Sequence, residues 1–413
     1  MSDSKIPAMP QDGYDLFSDR YVNDAPAVWA EIRSSGCPVA HSDKWGGSWL
    51  PTAYDDIHRL AHDPEHLSSR AVEFSGVIPE PGAGLYFPPL TSDPPEHKLH
   101  RDLLEPFFTP ARIAAIEPYA RAKARELAQA VAARGEGDVG TDFSKPMALF
   151  ILTKMIDVPE DRQAKYMDWT IRILKIGPSN QEVRAAAYAE AFADLSQLLQ
   201  ERAAAPGDDM VSHLALARIN GEPISRKHQI GSLLLAILAG ADTTWNALNA
   251  SIYHFAEFPA DRATILARPE LLRTTAIEEL LRVYAPLTIG RVTTAPVELQ
   301  GRCIAAQQRV ILAYAAANRD PAVFEKPDEV QLERKRNRHL TFGTGNHRCM
   351  GAHLARMEVR VGIEEWLRAI PHFERISGEV KWGPGQVRGP ENVRIRKVAG
   401  DTTMAATEAP RAG

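Results

Sequence analysis

The stretch from residue 223 to 257 constrains this chain more than any other. It includes "GSLLLAILAGA" and carries apolar residues around most of a helical circumference. As one helix it would be roughly 50 Å long, at about 1.5 Å per residue, enough to cross a whole domain. A helix that is apolar all round has to be buried, so the rest of the 413 residues must be built around it. The longest purely apolar run, "LLLAILAGA" at 233–241, is about half the length a bilayer requires. The helix therefore belongs to a protein core, and no membrane anchor is expected.

From His97 to about Leu367 the pattern is mainly helical, with Ala, Leu, Arg and Glu recurring at spacings of three and four. Stretches 111–134, 182–204 and 351–368 give the other firm helices, with a shorter one at "APAVWAEIRSSG" and another from Asp55. Strand signals are sparse: pieces around "SWLPTAY", then "GRVTTAPVEL", "RVILAY" and "RIRKVA". The expected fold class is mainly α with a minor β region. Residues 1–20 and 400–413 are small and polar and read as loose ends, which leaves 21–399 as a single domain. Residues 70–95 form a long Pro/Gly-rich connection of the kind that usually serves function.

A formal net charge of −5 argues against general nucleic-acid binding. Cys37, Cys303 and Cys349 are odd in number and have no CxxC spacing, so neither a disulfide scaffold nor a structural zinc site is expected. The opening "MSDSKIPAMPQDGYDLFSDR" lacks a basic segment followed by an apolar one. The expected location is cytoplasmic.

Residues 342–351 read "FGTGNHRCMG". Cys349 lies just before a helix that begins near Gly351, whose unpaired N–H groups and positive potential favour a thiolate. Gly343, Gly345 and Gly351 let the backbone turn sharply and approach a flat object. His347 and Arg348 place cationic or donor groups beside the sulfur. An inert buried cysteine, a nucleophile near a base, and a soft ligand for a haem iron are three readings of such a loop. The glycines, the thiolate and the cations suit the third together.

Phe342, Gly345, Cys349 and Gly351 match, without a gap, the Phe-x-x-Gly-x-x-x-Cys-x-Gly loop of the cytochrome P-450 superfamily. Three further elements occur upstream in that family's order. From about residue 50 to 370 the chain resembles this superfamily, and its bacterial soluble branch in particular. The resemblance implies a cytochrome P-450 fold, with the long helix crossing the core beside haem b (iron protoporphyrin IX). It implies that Cys349 is the thiolate ligand of the haem iron, with Phe342 and Gly343 in the loop and Ala239 and Gly240 on the helix as further cofactor contacts.

The second element is "AGADTT" at 239–244. An Asp followed by a Thr in an apolar helix costs stability unless both are used, and Thr243 can bond back to the carbonyl of residue 239 and open a local kink. The plain alternative is a helix-bending Thr beside a solvated Asp. The resemblance implies instead that Asp242 and Thr243 are the catalytic acid–alcohol pair that supplies protons for oxygen activation.

The third is "EELLR" at 278–282 with "ERKRNR" at 333–338. Glu279 and Arg282 lie three apart on one helical face. The resemblance adds Arg334 and implies a structural trio that holds the cysteine loop. The fourth is "DPPEHKLHR" at 93–101, a turn and helix start that puts His97 and Arg101 on one face. By resemblance His97, Arg101, Arg291 and His347 hold the haem propionates, which need charge-assisted donors if enclosed. Two departures stand out: the family's Pro-x-Gly turn is missing near "CIAAQQRV", and "VQLER" replaces a Phe-Asp start before Arg334.

The candidate substrate pocket comprises Phe74, Val77, Leu85, Tyr86 and Phe87 from the 70–90 loop, Leu235 and Leu238 from the long helix, and Leu287, Thr288 and Ile289. It is almost wholly apolar, so a small or medium hydrophobic substrate is expected, with O2 as co-substrate. No flavin or iron–sulfur motif is present. Electrons are expected from NAD(P)H through a reductase and an acidic ferredoxin that docks on the basic stretch 334–348. The activity expected is a monooxygenase performing hydroxylation or O-dealkylation. The rivals are a peroxide-driven haem-thiolate enzyme, against which the retained Asp242-Thr243 speaks, and a non-catalytic haem sensor or carrier.

Overall fold

The structure, a computed structural model, describes residues 14–399 apart from residues 74, 75, 81, 83, 179 and 377. Its helices are α1 (Asp19–Ser34), α2 (Tyr54–Ala61), α3 (Glu96–Asp102), α4 (Pro110–Arg134), α5 (Lys145–Ile156), α6 (Gln163–Thr170) and α7 (Gln181–Ala204). Then come α8 (Met210–Leu216), α9 (Arg226–Glu257), α10 (Pro259–Ala267), α11 (Leu271–Thr274), α12 (Ala276–Val283), α13 (Tyr314–Ala317) and α14 (Ala352–Ala369).

Helix α9 is the long helix of the sequence. It runs for 32 residues, starts where the Ser225 side chain accepts a hydrogen bond from the His228 amide, and is buried on most of its faces. Helices α4, α5 and α14 pack with it around one large apolar core, in which Ile237, Ala241 and Ile252 are fully enclosed. Helix α6 passes into a wider π-type turn at Ile171–Ile176 before Gly177, which brings Leu174 and Lys175 to the site described below.

The β component is small. Its main sheet has the strand order Val39–Ser42, Ser48–Pro51, Arg309–Ala313, Thr288–Thr293, Leu67–Ser68. Trp49 pairs with Val310 in parallel and Ile311 pairs with Gly290 antiparallel, so the sheet joins the first fifty residues to the last third of the chain. In the turn where the Pro-x-Gly is missing, Gln307 adopts φ 61°, a left-handed conformation uncommon for a residue with a Cβ. Its amide donates to the Thr293 carbonyl at 2.8 Å.

One expectation needs correcting. Residues 1–20 do not form a loose segment as a whole, because Tyr14 and Leu16 are buried against Tyr21, Trp29 and Leu50, and the Tyr14 hydroxyl bonds Ser48 Oγ at 2.6 Å. Residues 1–13 and 400–413 lie outside the described residues. Among the described residues, no helix is long and apolar enough to cross a membrane.

Candidate active site

A cavity opens between α9, the 342–351 loop, the Thr288–Thr293 strand and the residues following Ser69. The walls nearest the cysteine loop include Cys349, Phe342, Gly343, His97, Arg101, Arg291 and His347, and the facing wall includes Ala239, Gly240 and Thr243. The sequence elements taken as cofactor contacts therefore meet in one space.

The loop has a fixed shape. The Cys349 amide donates to the Phe342 carbonyl at 2.8 Å. Gly345, at φ 69°, lies so close to the end of α2 that an added Cβ would sit 2.4 Å from the Ala61 carbonyl oxygen; no side chain fits there. Burial pushes the Cys349 thiol up, opposed by the Gly351 N–H and by the charges of Arg101, Arg356 and Arg348. The Gly351 N–H at the helix start thus acts on the sulfur in the direction expected from the sequence, and a cation bound at the sulfur would favour the thiolate further.

Along one edge of the cavity four basic side chains converge. The rings of His97 and His347 stand 4.3 Å apart, and His347 Nε2 lies 2.9 Å from Ser69 Oγ. Burial and then the neighbouring Arg291, His97 and Arg101 hold His347 down at about 2. Burial and Arg101 lower His97 as well, and its Nε2 has no hydrogen-bond partner. Arg291 is buried and donates to the Gly290 carbonyl at 2.8 Å. Asp93, the nearby carboxylate, bonds Ser68 Oγ and the Ser69 amide. Arg101 spends donors on Glu105 at 2.7 Å and on the Arg348 carbonyl at 2.8 Å. Two guanidinium groups, Arg101 and Arg291, and two imidazoles kept neutral beside them, one with an orphaned ring nitrogen, form a seat for a group with two negative charges. With a sulfur in the loop and apolar walls between, the residues fit a haem. Tyr314, buried on the same cavity beside Arg291, was missed from sequence, where it lay in a strand-like run with no motif.

On α9 the two expected catalytic residues part company. The Thr243 hydroxyl is on the cavity and donates to the Ala239 carbonyl at 2.8 Å. Asp242 is fully buried away from it. One of its oxygens accepts from Asn246 Nδ2 at 2.8 Å, and the other stands 3.4 Å from Lys175 Nζ. Burial raises the Asp242 pKa, against the pull of Lys175 and Asn246. Lys175 carried no sequence signal, since its meeting with Asp242 is purely tertiary.

Of the expected substrate contacts, Phe87, Leu235, Leu238, Leu287 and Ile289 line the cavity. Four others do not. Val77 is 92% exposed. Leu85 packs on the main core away from the cavity, and the Tyr86 hydroxyl turns to His228 Nδ1 at 3.3 Å. Thr288 is buried on the strand face opposite Ile289 and Arg291, as strand alternation requires. Phe74 lies outside the described residues. Missed from sequence were Glu73, Met155, Leu174, Tyr188 and Gln386, which sit in segments that read as ordinary core or loop. Glu358, also on the cavity, has an oxygen without a partner, and burial raises its pKa well above the carboxylate range.

The expected structural trio is assembled. Glu279 and Arg282 are fully enclosed and joined by two bonds of 2.8 Å. Arg334 Nε reaches Glu279 at 3.0 Å, and the Gln331 amide and Asn337 side chain also donate to it. Arg282 binds the carbonyls of Asn318, Pro327 and Glu329 as well, so the trio anchors the irregular segment that leads into the cysteine loop.

With this geometry in hand, the comparisons with known proteins agree. The cytochrome P450 family model matches residues 268–373. A probable cytochrome P450 127A1 of Sinorhizobium fredii is 32% identical over 357 residues, covering 85% of this chain and 84% of that protein. The linalool 8-monooxygenase of Pseudomonas putida is 29% identical over 399 residues, covering 92% and 97%. The crystal structure of CYP109E1 from Bacillus megaterium in complex with testosterone superposes with a TM-score of 0.84 at 27% identity, covering 92% of this chain and all of that one.

Proposed function

Because the chain belongs to the cytochrome P450 family, whose members are haem b monooxygenases, we propose that Cys349 would be the thiolate ligand of the haem and that the substrate is a small or medium hydrophobic molecule. It is hydroxylated or O-dealkylated, with electrons arriving from NAD(P)H through a reductase and an acidic ferredoxin. The observation that carries this reading is the single cavity that has Cys349 on one wall and Ala239–Thr243 on another.

Haem, when bound, would supply the O2-dependent oxidation, with one oxygen atom going to the substrate and the other to water. This chain's residues do the rest. Cys349 Sγ would hold the iron from the loop. His97, Arg101, Arg291 and His347 would bind the propionates with charge-assisted hydrogen bonds. The Thr243 hydroxyl donates to the Ala239 carbonyl at 2.8 Å, which leaves its oxygen, on the cavity, able to accept a hydrogen bond. Asp242, buried one residue away and next to Lys175, would relay solvent protons toward it. The apolar walls, Leu235, Leu238 and Ile289 among them, exclude water from the reacting carbon.

For electron delivery, Lys335, Arg336, Arg338 and Arg348 are exposed, Arg338 lying against the Tyr54 ring. Arg334 belongs to the buried trio. The docking face is thus narrower than the basic stretch in sequence. A linalool 8-monooxygenase among the relatives supports the reaction class, and a cytoplasmic setting suits three unpaired cysteines.

The test is the absorption spectrum of the reduced, carbon-monoxide-bound protein beside Cys349→Ser. A strongly red-shifted Soret band in the wild type, lost in the variant, is expected. A histidine-type spectrum in the wild type would remove the axial assignment.

A further inference from the structure

The cavity is apolar on its α9 side except for a small polar corner between the residues after Ser69 and helix α7. There Glu73 and Arg184 form an ion pair. The Arg184 guanidinium lies 5.9 Å from the centre of the Tyr188 ring, and the Phe87 ring flanks Tyr188 on another side at 6.1 Å. Glu73, Phe87 and Tyr188 all line the cavity.

The hydrogen-bonding state of these groups differs. Arg184 and Glu73 satisfy each other. The Gln386 amide, also on the cavity, donates to the Val72 carbonyl at 2.8 Å, and Thr243 donates to Ala239. The Tyr188 hydroxyl is buried, and the group that reaches its oxygen is the Arg184 guanidinium, a donor, so the phenol proton has no acceptor. An enclosed hydroxyl without an acceptor is costly, and the cost is removed by whatever brings one. Arg184 beside the ring favours the phenol as a donor. Glu73 occupies the Arg184 guanidinium, so no cation in this corner is free to take a carboxylate.

We propose that Tyr188 orients the substrate by donating a hydrogen bond to a neutral oxygen acceptor, and that the substrate is an apolar molecule carrying one carbonyl, ether or alcohol oxygen rather than a hydrocarbon or a carboxylic acid. This rests on the monooxygenase reading above and narrows its substrate class. One polar contact in an apolar cavity fixes which end of the molecule points away from the reacting centre. Tyr188 is then a specificity-determining residue supplied by α7, and Glu73 enforces neutrality.

The test is isothermal titration calorimetry of the haem-loaded protein with three probes of similar size: menthone, p-menthane and p-menthan-7-oic acid. In the wild type, menthone should bind roughly tenfold more tightly than p-menthane and also more tightly than the acid. In Tyr188→Phe the menthone preference should fall to about one while p-menthane affinity is kept. Glu73→Gln should improve binding of the acid and leave the menthone to p-menthane ratio in place, and it serves as the second variant if Tyr188→Phe folds poorly. No menthone preference in the wild type, including no menthone binding at all, would overturn the proposal. So would a preference that survives Tyr188→Phe, or an acid that binds best. Calorimetry reads binding whatever the iron ligand is, so failure here is distinct from failure of the Cys349 assignment, which the carbon-monoxide spectrum reports.

Discussion

Lys175 Nζ stands 3.4 Å from Asp242 Oδ2 and donates to the Val387 carbonyl at 2.8 Å. One ammonium group thus ties the π-turn after α6, the middle of α9 and the C-terminal loop together. It is also the foremost influence opposing the rise that burial imposes on the Asp242 carboxyl. Lys175→Met removes that opposing charge, raises the carboxyl pKa further and cuts the group off from exchange with solvent. We expect the rate of NAD(P)H oxidation in the reconstituted system to fall about tenfold and its solvent deuterium isotope effect to grow. An unchanged rate would remove Lys175 from proton supply.

Thr243 and Asp242 should fail differently, because only the threonine faces the cavity. Thr243→Ala is expected to keep NAD(P)H oxidation going while product per NAD(P)H drops several-fold and peroxide appears. Asp242→Asn should instead slow NAD(P)H oxidation, by about a hundredfold. Identical behaviour of the two variants would argue against separate roles.

Glu279 is fully enclosed and accepts from Arg282, Arg334, Asn337 and the Gln331 amide. Removing one partner of a buried ion pair costs on the order of 3–5 kcal/mol. Glu279→Ala should therefore lower the denaturation midpoint sharply and cost the protein its haem. A variant with wild-type Tm and full haem content would show that the trio does not hold the loop.

His228 is 4% exposed, and burial, helped by the neighbouring His100, holds its pKa down at about 4 against an ordinary 6.5. Its surroundings are the His100 ring, the Tyr86 hydroxyl at 3.3 Å and Lys227 over the Tyr86 ring. The folded protein keeps His228 neutral, while the unfolded chain takes up a proton below about pH 6.5. This contribution to stability is intact above that pH and is lost as pH falls toward 4. It amounts to as much as about 3 kcal/mol. His228→Gln should therefore lose less stability than the wild type between pH 7 and 4, measured by denaturant unfolding at each pH; parallel curves would contradict this.

Arg336 and Arg348 are exposed on the cysteine-loop side. Reversing either to Glu should weaken binding of an acidic ferredoxin several-fold at low salt, with the difference shrinking as salt rises. Surface plasmon resonance across a salt series reads this directly. An affinity indifferent to both changes would place the docking face elsewhere.

Local motifs were legible before any coordinates. The loop from Phe342 to Gly351, the α9 segment and the trio around Glu279 each carry their chemistry within a few residues, and helix boundaries such as Pro110–Arg134 fall within a residue or two of the periodic pattern. What escaped was made by contacts between distant segments. Lys175, Glu73 and Tyr188 sit in stretches that read as ordinary helix or loop, and only packing brings them to the cavity. Val77 and Tyr86 were misplaced for the complementary reason: an irregular Pro/Gly-rich connection has no period from which the inward face can be read. The direction of Asp242 was equally hidden, since neighbours on a helix are about 100° apart and one can serve the cavity while the next serves the core.

The contact of Gly345 with Ala61, and the pairing of Trp49 with Val310, also set an order of events during synthesis. Residues that emerge first from the ribosome form an edge and a ledge that wait for partners 261 and 284 positions later. The loop that carries Cys349 appears late, and it docks on one of the earliest parts of the chain. A nascent chain halted before residue 349 already contains His97, Arg101, Arg291 and His347 but not the loop cysteine, so if Cys349 holds the haem, colour would arrive only once synthesis has passed that residue.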